Sequence, residues 1–294
     1  PSARFGHPAV RRIGVLLTPR LFSSAIYQLN NFADSIFGSL AWIVGDGGVA
    51  ALYFAYRLIQ FPLGIFGNSL SQAILPALSS RAAEGDHAQL KETLLFGLRS
   101  VLFVMIPASV GFMVLSKTVI SSLFQGGRFN AYSTGITSGA LFFYSIGLFA
   151  YGATRIVQCG YFAIKDTVTP AKVAAIALVL NVCLNAIFMF PLKLSGLALA
   201  TSISGISSFL MLFMILRRKL GGFRVRGLLE FSFRVLCASI IMGEVCFIAS
   251  TYHVALRNHL LVRAFDLALP IGCGIAAYVI MCHALRIEQI KSFP

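Results

Sequence analysis

Charge is what this chain has least of. Asp, Glu, Lys and Arg together make up 12% of it, and only ten residues are acidic; soluble domains carry about 25% charged residues. With 57% hydrophobic residues and a mean hydropathy of +0.83, an ordinary soluble domain is excluded. Six cysteines (Cys159, Cys183, Cys237, Cys246, Cys273 and Cys282) form no Cys-x-x-Cys pair and fall mostly in apolar runs. They indicate neither a disulfide framework nor a metal site and are expected as small packing residues. His7, His87, His253, His259 and His283 lie in loops or at the ends of apolar runs without ligand spacing. There is no phosphate-binding loop, no Ser/His/Asp set and no paired-carboxylate site, so the sequence supports no enzyme chemistry. It also lacks an initiator Met and a secretory pattern. Pro1 to Arg12 is a short basic lead into an apolar run, and the chain reads as a fragment of something longer.

What is present is a series of apolar runs long enough to cross a bilayer, which takes about 20 residues each. Eight are expected, near 13–43, 49–75, 94–115, 133–157, 171–190, 195–216, 229–250 and 266–285. The fold class is thus an all-α polytopic membrane protein. The net charge of +14 is distributed by loop and does not mark a nucleic-acid site. Seventeen cations, Arg99, Arg155 and the Arg217–Arg226 cluster among them, fall in alternate loops beginning with the N-terminus. The opposite loops hold only Lys117, Arg128, Lys193, Arg257 and Arg263. By the positive-inside rule both termini face the cytoplasm, which an even number of spans allows. Contact of the basic cluster with anionic membrane lipids is the secondary reading.

Two cations, Arg20 and Arg57, stand inside spans. A guanidinium at membrane depth costs at least ~2.5 to 3.5 kcal/mol on insertion scales, so a retained one marks a hydrated cavity or an anionic partner. Around Arg57, Tyr53, Gln60, Gly64, Asn68 and Ser71 recur at helical spacing and give one polar face. Pro62 removes a backbone donor nearby and predicts a bend or local opening. Snorkelling to the headgroups is the competing reading, because Arg57 lies only ~12 Å along the helix from Val49. In the first span, Arg20, Ser24, Tyr27, Asn31, Asp34 and Gly38 form a matching polar stripe, so the two helices are expected to share a cleft.

Asp34 is the costly member, since an unpaired carboxylate in apolar surroundings needs a proton or a cation. Asn181 and Asn185 are one turn apart on the fifth span, and Thr201 lies early on the sixth. Together these oxygens would suit a small hard cation if three helices meet. Polar glue between helices, about 0.6 to 2 kcal/mol per hydrogen bond, explains the same residues equally well. Thr201, Ser204, Gly205 and Ser208 form a small-residue face expected to pack closely on a neighbour. Trp42 is expected as an interfacial anchor, Lys117 to Phe129 as a short interfacial segment, and Glu244 as a packing or interface residue.

The stretch Tyr56-Arg57-Leu-Ile-Gln-Phe-Pro62-Leu-Gly64-Ile-Phe-Gly67, followed by Leu75-Pro76-Ala-Leu-Ser79, resembles the eighth transmembrane helix of the MurJ (MviN) lipid II flippases. Leu123 to Phe129, Asp166-Thr-Val-Thr-Pro170 and Pro191-Leu-Lys-Leu-Ser-Gly196 add to the resemblance, which runs from about Arg12 to Arg218. It implies a fold of the MOP exporter superfamily with fourteen helices, of which this chain would supply helices seven to fourteen. Residues 1–12 would then be a cytoplasmic lead, 13–217 the six-helix C-terminal lobe, 218–228 a basic loop, 229–285 an extra hairpin and 286–294 a cytoplasmic tail.

By position, the resemblance assigns Arg57 to a cavity arginine that contacts the pyrophosphate or another anionic part of lipid II, with Arg20, Gln60 and Tyr53 beside it. The family often has acids where this chain has Tyr56 and Gln60. Asp34, Asn181, Asn185 and Thr201, with the carbonyl of Leu197, match positions proposed to hold sodium; Asn185 stands where an acid can occur. No other cofactor is implied. The last two helices would border a groove for the polyprenyl tail. The function implied is a lipid II flippase of the bacterial cytoplasmic membrane, not an enzyme, with lipid II and membrane lipids as partners and no nucleic acid. An N-terminal lobe would be the missing partner, without which the chain is expected to be inactive. The alternatives are another MOP-type exporter, of lipid-linked polysaccharide or drugs, and a membrane scaffold.

Overall fold

The computed structural model describes residues 28–30, 32–223, 225–251, 259–285 and 287. Among them the secondary structure is helical apart from one isolated bridge between Gly126 and Phe129. Helix α1 covers 28–30 and 32–38, and a short α2 (Ala41–Val44) leads into α3 (Gly48–Pro62). A π-helical turn, Leu63–Asn68, joins α3 to α4 (Ser69–Ala83). There follow α5 (His87–Phe124), α6 (Ala131–Ala163), α7 (Val168–Lys219), α8 (Arg226–Ser250) and α9 (His259–Ala284).

Among the described residues six helical stretches are long and apolar enough to cross a membrane, the run from Gly48 to Ala83 counting as one. One of the six, α7, supplies two of the expected spans. Lys193 has φ 51° and ψ −131°, which breaks the helix, and Asn181 Nδ2 reaches Thr201 Oγ1 at 3.1 Å. Twenty residues of straight helix would hold that pair ~30 Å apart, so the chain doubles back at Lys193. Gly196 is needed for this reversal, because a Cβ there would collide with the carbonyl of Phe188. Of the first expected span, 13–43, only the part from residue 28 onward is described.

Helix ends follow capping and not hydropathy. Asp86 Oδ1 accepts from the Gln89 N–H at 2.9 Å and Asn130 Oδ1 from the Ser133 N–H at 2.9 Å, opening α5 and α6. Both helices therefore run past their apolar middles. Arg155, expected in a loop, lies inside α6, and Lys117 lies inside α5, so the expected interfacial segment shrinks to the turn at 125–130.

Helices α5, α6 and α7 pack side by side around Leu94, Leu98, Met105, Leu141, Leu148 and Ile156. Lipid is as apolar as leucine, so close packing and interhelical hydrogen bonds hold such a bundle. Gly147 lets α6 approach α7 closely: a Cβ there would lie 2.9 Å from Ser202 Cα, and Ser202 Oγ donates to the Phe143 carbonyl at 2.7 Å. Tyr161 OH donates to the Leu212 carbonyl at 2.8 Å in the same interface. Helices α8 and α9 pack on each other and on α5, where Tyr278 OH donates to the Phe103 carbonyl at 2.7 Å.

Candidate functional site

Arg57 opens onto a cavity of about 580 Å³ whose lining includes Asn30, Asp34 and Ser35 from α1, Tyr53, Tyr56 and Gln60 from α3, Tyr144 from α6 and Thr201 from α7. The cleft shared by the first two helices is therefore present. Arg57 does not snorkel away from it: Nε and Nη2 donate to Tyr53 OH at 3.0 and 2.8 Å, one turn back on the same helix. The guanidinium carbon lies 5.2 Å from the Tyr53 ring centroid. No ion pair of Arg57 is seen among the described residues.

The polar face predicted along α3 lines the cavity only as far as Gln60. Gly64, Asn68 and Ser71 do not reach it, and Ser71 Oγ donates to the Gly67 carbonyl at 2.6 Å. The π turn after Pro62 is the cause. Each i to i+5 pairing adds a residue to the turn, so the downstream helix is rotated by about 100° from a continuous α-helical register.

At the floor of the cavity the three helices meet. Asn185 Nδ2 donates to Asp34 Oδ1 at 2.7 Å and to Asn181 Oδ1 at 3.0 Å. The Thr201 hydroxyl has two acceptors for its one proton, Asp34 Oδ2 at 3.1 Å and the Leu197 carbonyl at 3.0 Å, and it accepts from Asn181 Nδ2. All four polar side chains are buried, and both asparagines are fully so. Gly48 permits this convergence, because a Cβ there would lie 2.7 Å from the Gly38 carbonyl and push α3 away from α1. Asn185 Oδ1 is buried with no hydrogen-bond partner. The donor set is all oxygen with one carboxylate, and no trio of His, Cys, Asp or Glu converges among the described residues.

Arg20, Ser24, Tyr27 and Asn31 lie outside the described residues. Sequence reasoning missed Tyr144, whose only signal was a phenol inside the apolar run of the fourth span. It also missed Arg155, placed beside Gly67 in the π turn, with its Cδ 3.4 Å from where a Cβ would be. Thr201, read from spacing both with Asp34 and as part of a small-residue face, bonds to Asp34, and Gly205 of that face packs on α6 together with Ser202. Glu244 is exposed on α8, and Asp266 lies within α9. A second cavity, apolar and about 350 Å³, lies between Phe61 and Pro62 of α3, Phe103 and Pro107 of α5, and Met242 and Tyr278 of α8 and α9.

Residues 1–265 match the family model described as lipid II flippase MurJ. A probable lipid II flippase MurJ of Vibrio cholerae is 33% identical over 295 residues, covering 99% of this chain and 56% of that protein. Its counterpart in Haemophilus influenzae is 32% identical over 249 residues, covering 83% of this chain and 48% of that protein. The chain thus spans about half the length of the curated relatives it matches. A solved lipid II flippase MurJ in an inward closed conformation superposes with a TM-score of 0.75 at 27% identity, over 97% of this chain and 57% of that one. A multidrug resistance MATE family transporter of the MOP superfamily, at 15% identity and a TM-score of 0.58, shares the fold.

Proposed function

The chain belongs to the lipid II flippase MurJ family, and from that premise we propose that it forms one wall of a cavity through which lipid II crosses the bacterial cytoplasmic membrane by alternating access. The observation that carries this reading is Arg57, a guanidinium inside a membrane span that opens onto a 580 Å³ cavity and whose hydrogen-bond partner among the described residues is the Tyr53 phenol. A planar guanidinium suits phosphate oxygens through two parallel hydrogen bonds. Tyr53 holds it extended toward the cavity, and Gln60 adds an amide on the same face. The apolar cavity between α3, α5, α8 and α9 would take the polyprenyl tail while the diphosphate and sugars stay beside Arg57. The facing wall would come from an N-terminal lobe of the family's fold, and both termini of this chain would face the cytoplasm.

We infer that the oxygen cluster takes a sodium ion, because carboxylate, amide, hydroxyl and carbonyl oxygens are the hard ligands such a cation prefers. Asp34, Asn181, Asn185, Thr201 and the Leu197 carbonyl would hold it, and it would supply the positive charge that balances the Asp34 carboxylate. The buried Asn185 Oδ1 without a partner supports this, because a half-turn of the amide exchanges its nitrogen for that oxygen between Asp34 and Asn181. As the amide stands, the Asn185 N–H groups satisfy both neighbours. The two amide settings tie α1 to α7 differently, and ion binding would bias the cavity only by its different affinity for the two states.

The test uses cells depleted of their own flippase and given the intact gene product that carries this sequence, unchanged or as Arg57→Ala. Lipid II accessible at the outer face is measured, with membrane insertion checked in parallel. Accessibility restored by the unchanged protein and lost with an inserted Arg57→Ala supports the reading. An inserted, unchanged protein that restores nothing sinks the lipid II assignment.

A further inference from the structure

Helix α8 carries a carboxylate that neither the cavity nor the oxygen cluster uses. Glu244 is exposed, and among the described residues it makes no hydrogen bond and no ion pair, with Lys117 of α5 or any other cation. It lies ~15 Å along the helix from Arg234 and ~10 Å from Thr251, where α8 ends. The neighbouring helix gives the same depth. A Cβ on Gly243 would lie 2.8 Å from Val110 Cγ1 and 3.3 Å from Val114 Cγ2. Glu244 thus stands level with these residues, ~5–10 Å inward of Lys117 on α5. Its two methylenes are too short a stem to carry the carboxylate to the headgroups, as the longer stems of lysine and arginine do.

The buried face of α8, with Val235, Met242 and Cys246, packs on α5 and α9. At about 100° per residue, Glu244 falls on the opposite side of the helix. An ionisable group at membrane depth is costly and normally finds its partner in a bundle interior or a water-filled cavity. This one faces out of the bundle. A bound proton would not remove the cost, because a carboxylic acid still leaves a donor and an acceptor in hydrocarbon. The partner therefore comes from outside the described chain.

Phe233, Leu236, Ile240 and Phe247 are exposed and share the face of Glu244 at spacings of three and four residues. A seam of this kind receives a second helix, and one polar side chain within it fixes register and partner. A second copy of the chain is the wrong occupant, because a two-fold axis along the membrane normal would set Glu244 against Glu244. An N-terminal lobe is the wrong occupant too, since the cavity it would face is lined from α1, α3, α6 and α7. A carboxylate in low dielectric selects a cation. We propose that this face of α8 docks a transmembrane helix of another protein, one that carries a lysine or arginine at the level of Glu244, in the half of the bilayer away from the Arg217–Arg226 cluster. The docking goes beyond the flippase reading and stands without it.

The test places the photo-crosslinking residue p-benzoylphenylalanine at Phe247 in the intact gene product, within its own cells, and maps the adducts by mass spectrometry. An adduct to a transmembrane segment of another protein, with a lysine or arginine within one helical turn of the crosslinked residue, is expected. It should fall roughly fivefold or more with Glu244→Leu and return when Glu244→Lys is combined with glutamate at the partner's cation. Insertion should be unchanged by Glu244→Leu, and the melting temperature of the purified protein unchanged or higher. A lower melting temperature would assign the carboxylate to the chain's own packing and overturn the proposal. So would adducts confined to lipid, to a second copy or to the N-terminal lobe, an adduct to a segment with no cation, or one undiminished by Glu244→Leu.

Discussion

Asn185 Nδ2 lies 2.7 Å from Asp34 Oδ1, joining α7 to α1 across 151 positions of sequence. The amide bridges the carboxylate and Asn181 with both of its N–H groups, and this makes the cluster sensitive to a change of one atom. Asn185→Asp would face Asp34 with a second carboxylate, whose repulsion a cation relieves. Melting temperature in sodium chloride against choline chloride is expected to differ more for Asn185→Asp than for the unchanged chain. Asn185→Ala should cost about 1.5–3 kcal/mol by stranding the carboxylate and abolish any sodium effect. Equal sodium responses in all three proteins would refute the cation assignment.

Tyr53 hydrogen-bonds Arg57, and on the proposed flippase reading removing its hydroxyl in the intact gene product should weaken transport without ending it. A loss of about 0.5–1.5 kcal/mol of orienting hydrogen bond predicts a fall in flipping of about three- to tenfold for Tyr53→Phe. Arg57→Lys, which keeps the charge but loses the planar fork, should fall further and still exceed Arg57→Ala. The check is outer-face accessibility of lipid II per unit of inserted protein. A Tyr53→Phe protein as inactive as Arg57→Ala would show that the phenol contacts the substrate itself.

Gly147 sets the distance between α6 and α7 one residue away from the level of Thr201. Gly147→Val would force Ser202 outward at a cost of about 1–3 kcal/mol and draw Thr201 from Asp34. Thermal unfolding should therefore show a lower melting temperature together with a smaller sodium shift. A lower melting temperature with an unchanged sodium shift would separate packing from the oxygen cluster.

Asp166 lies in the α6–α7 turn, outside the spans. Burial raises its pKa, but the Lys219 ammonium and the Thr169 hydroxyl and N–H outweigh this and bring it down from 3.8 to about 2. A depressed carboxylate pKa means that the pair's stabilisation is complete above 3.8 and is lost as pH falls through about 2. With Lys219 nearly half exposed, the pair is expected to contribute about 0.2–1 kcal/mol. Asp166→Asn should lower the melting temperature slightly at pH 7, and the difference from the unchanged chain should shrink as pH approaches 2. A constant difference from pH 7 to pH 2 would remove the ion pair as its source.

Helical spacing was enough to place Tyr53, Arg57 and Gln60 on one cavity face, because a single α-helical register holds up to Pro62. Beyond it the same arithmetic misplaced Asn68 and Ser71, since a π turn leaves no mark in hydropathy. Asp34, Asn181, Asn185 and Thr201 could be picked out as costly polar groups, but spacing within each helix says nothing about whether three helices converge. That depended on contacts as remote in sequence as Asn185 on Asp34. Arg155 was read as a loop cation because apolar runs mark the middle of a span, whereas Asn130 and the packing of α6 decide where the helix begins and ends. Lys193 looked like one more loop lysine, and its backbone conformation has no signature in side-chain chemistry.

The π turn at Leu63–Asn68 also divides a 36-residue helical run mechanically. Its far half is fastened to α6, where Cys159 Sγ donates to the Ser71 carbonyl, and Pro62 supplies no N–H across the junction. The near half carries Arg57 and is seated as well, with Ala55 and Ile59 fully buried and the Tyr56 ring edge to face with Tyr144 of α6. An anion bound at Arg57 would therefore pull on a wall braced on both sides of the joint.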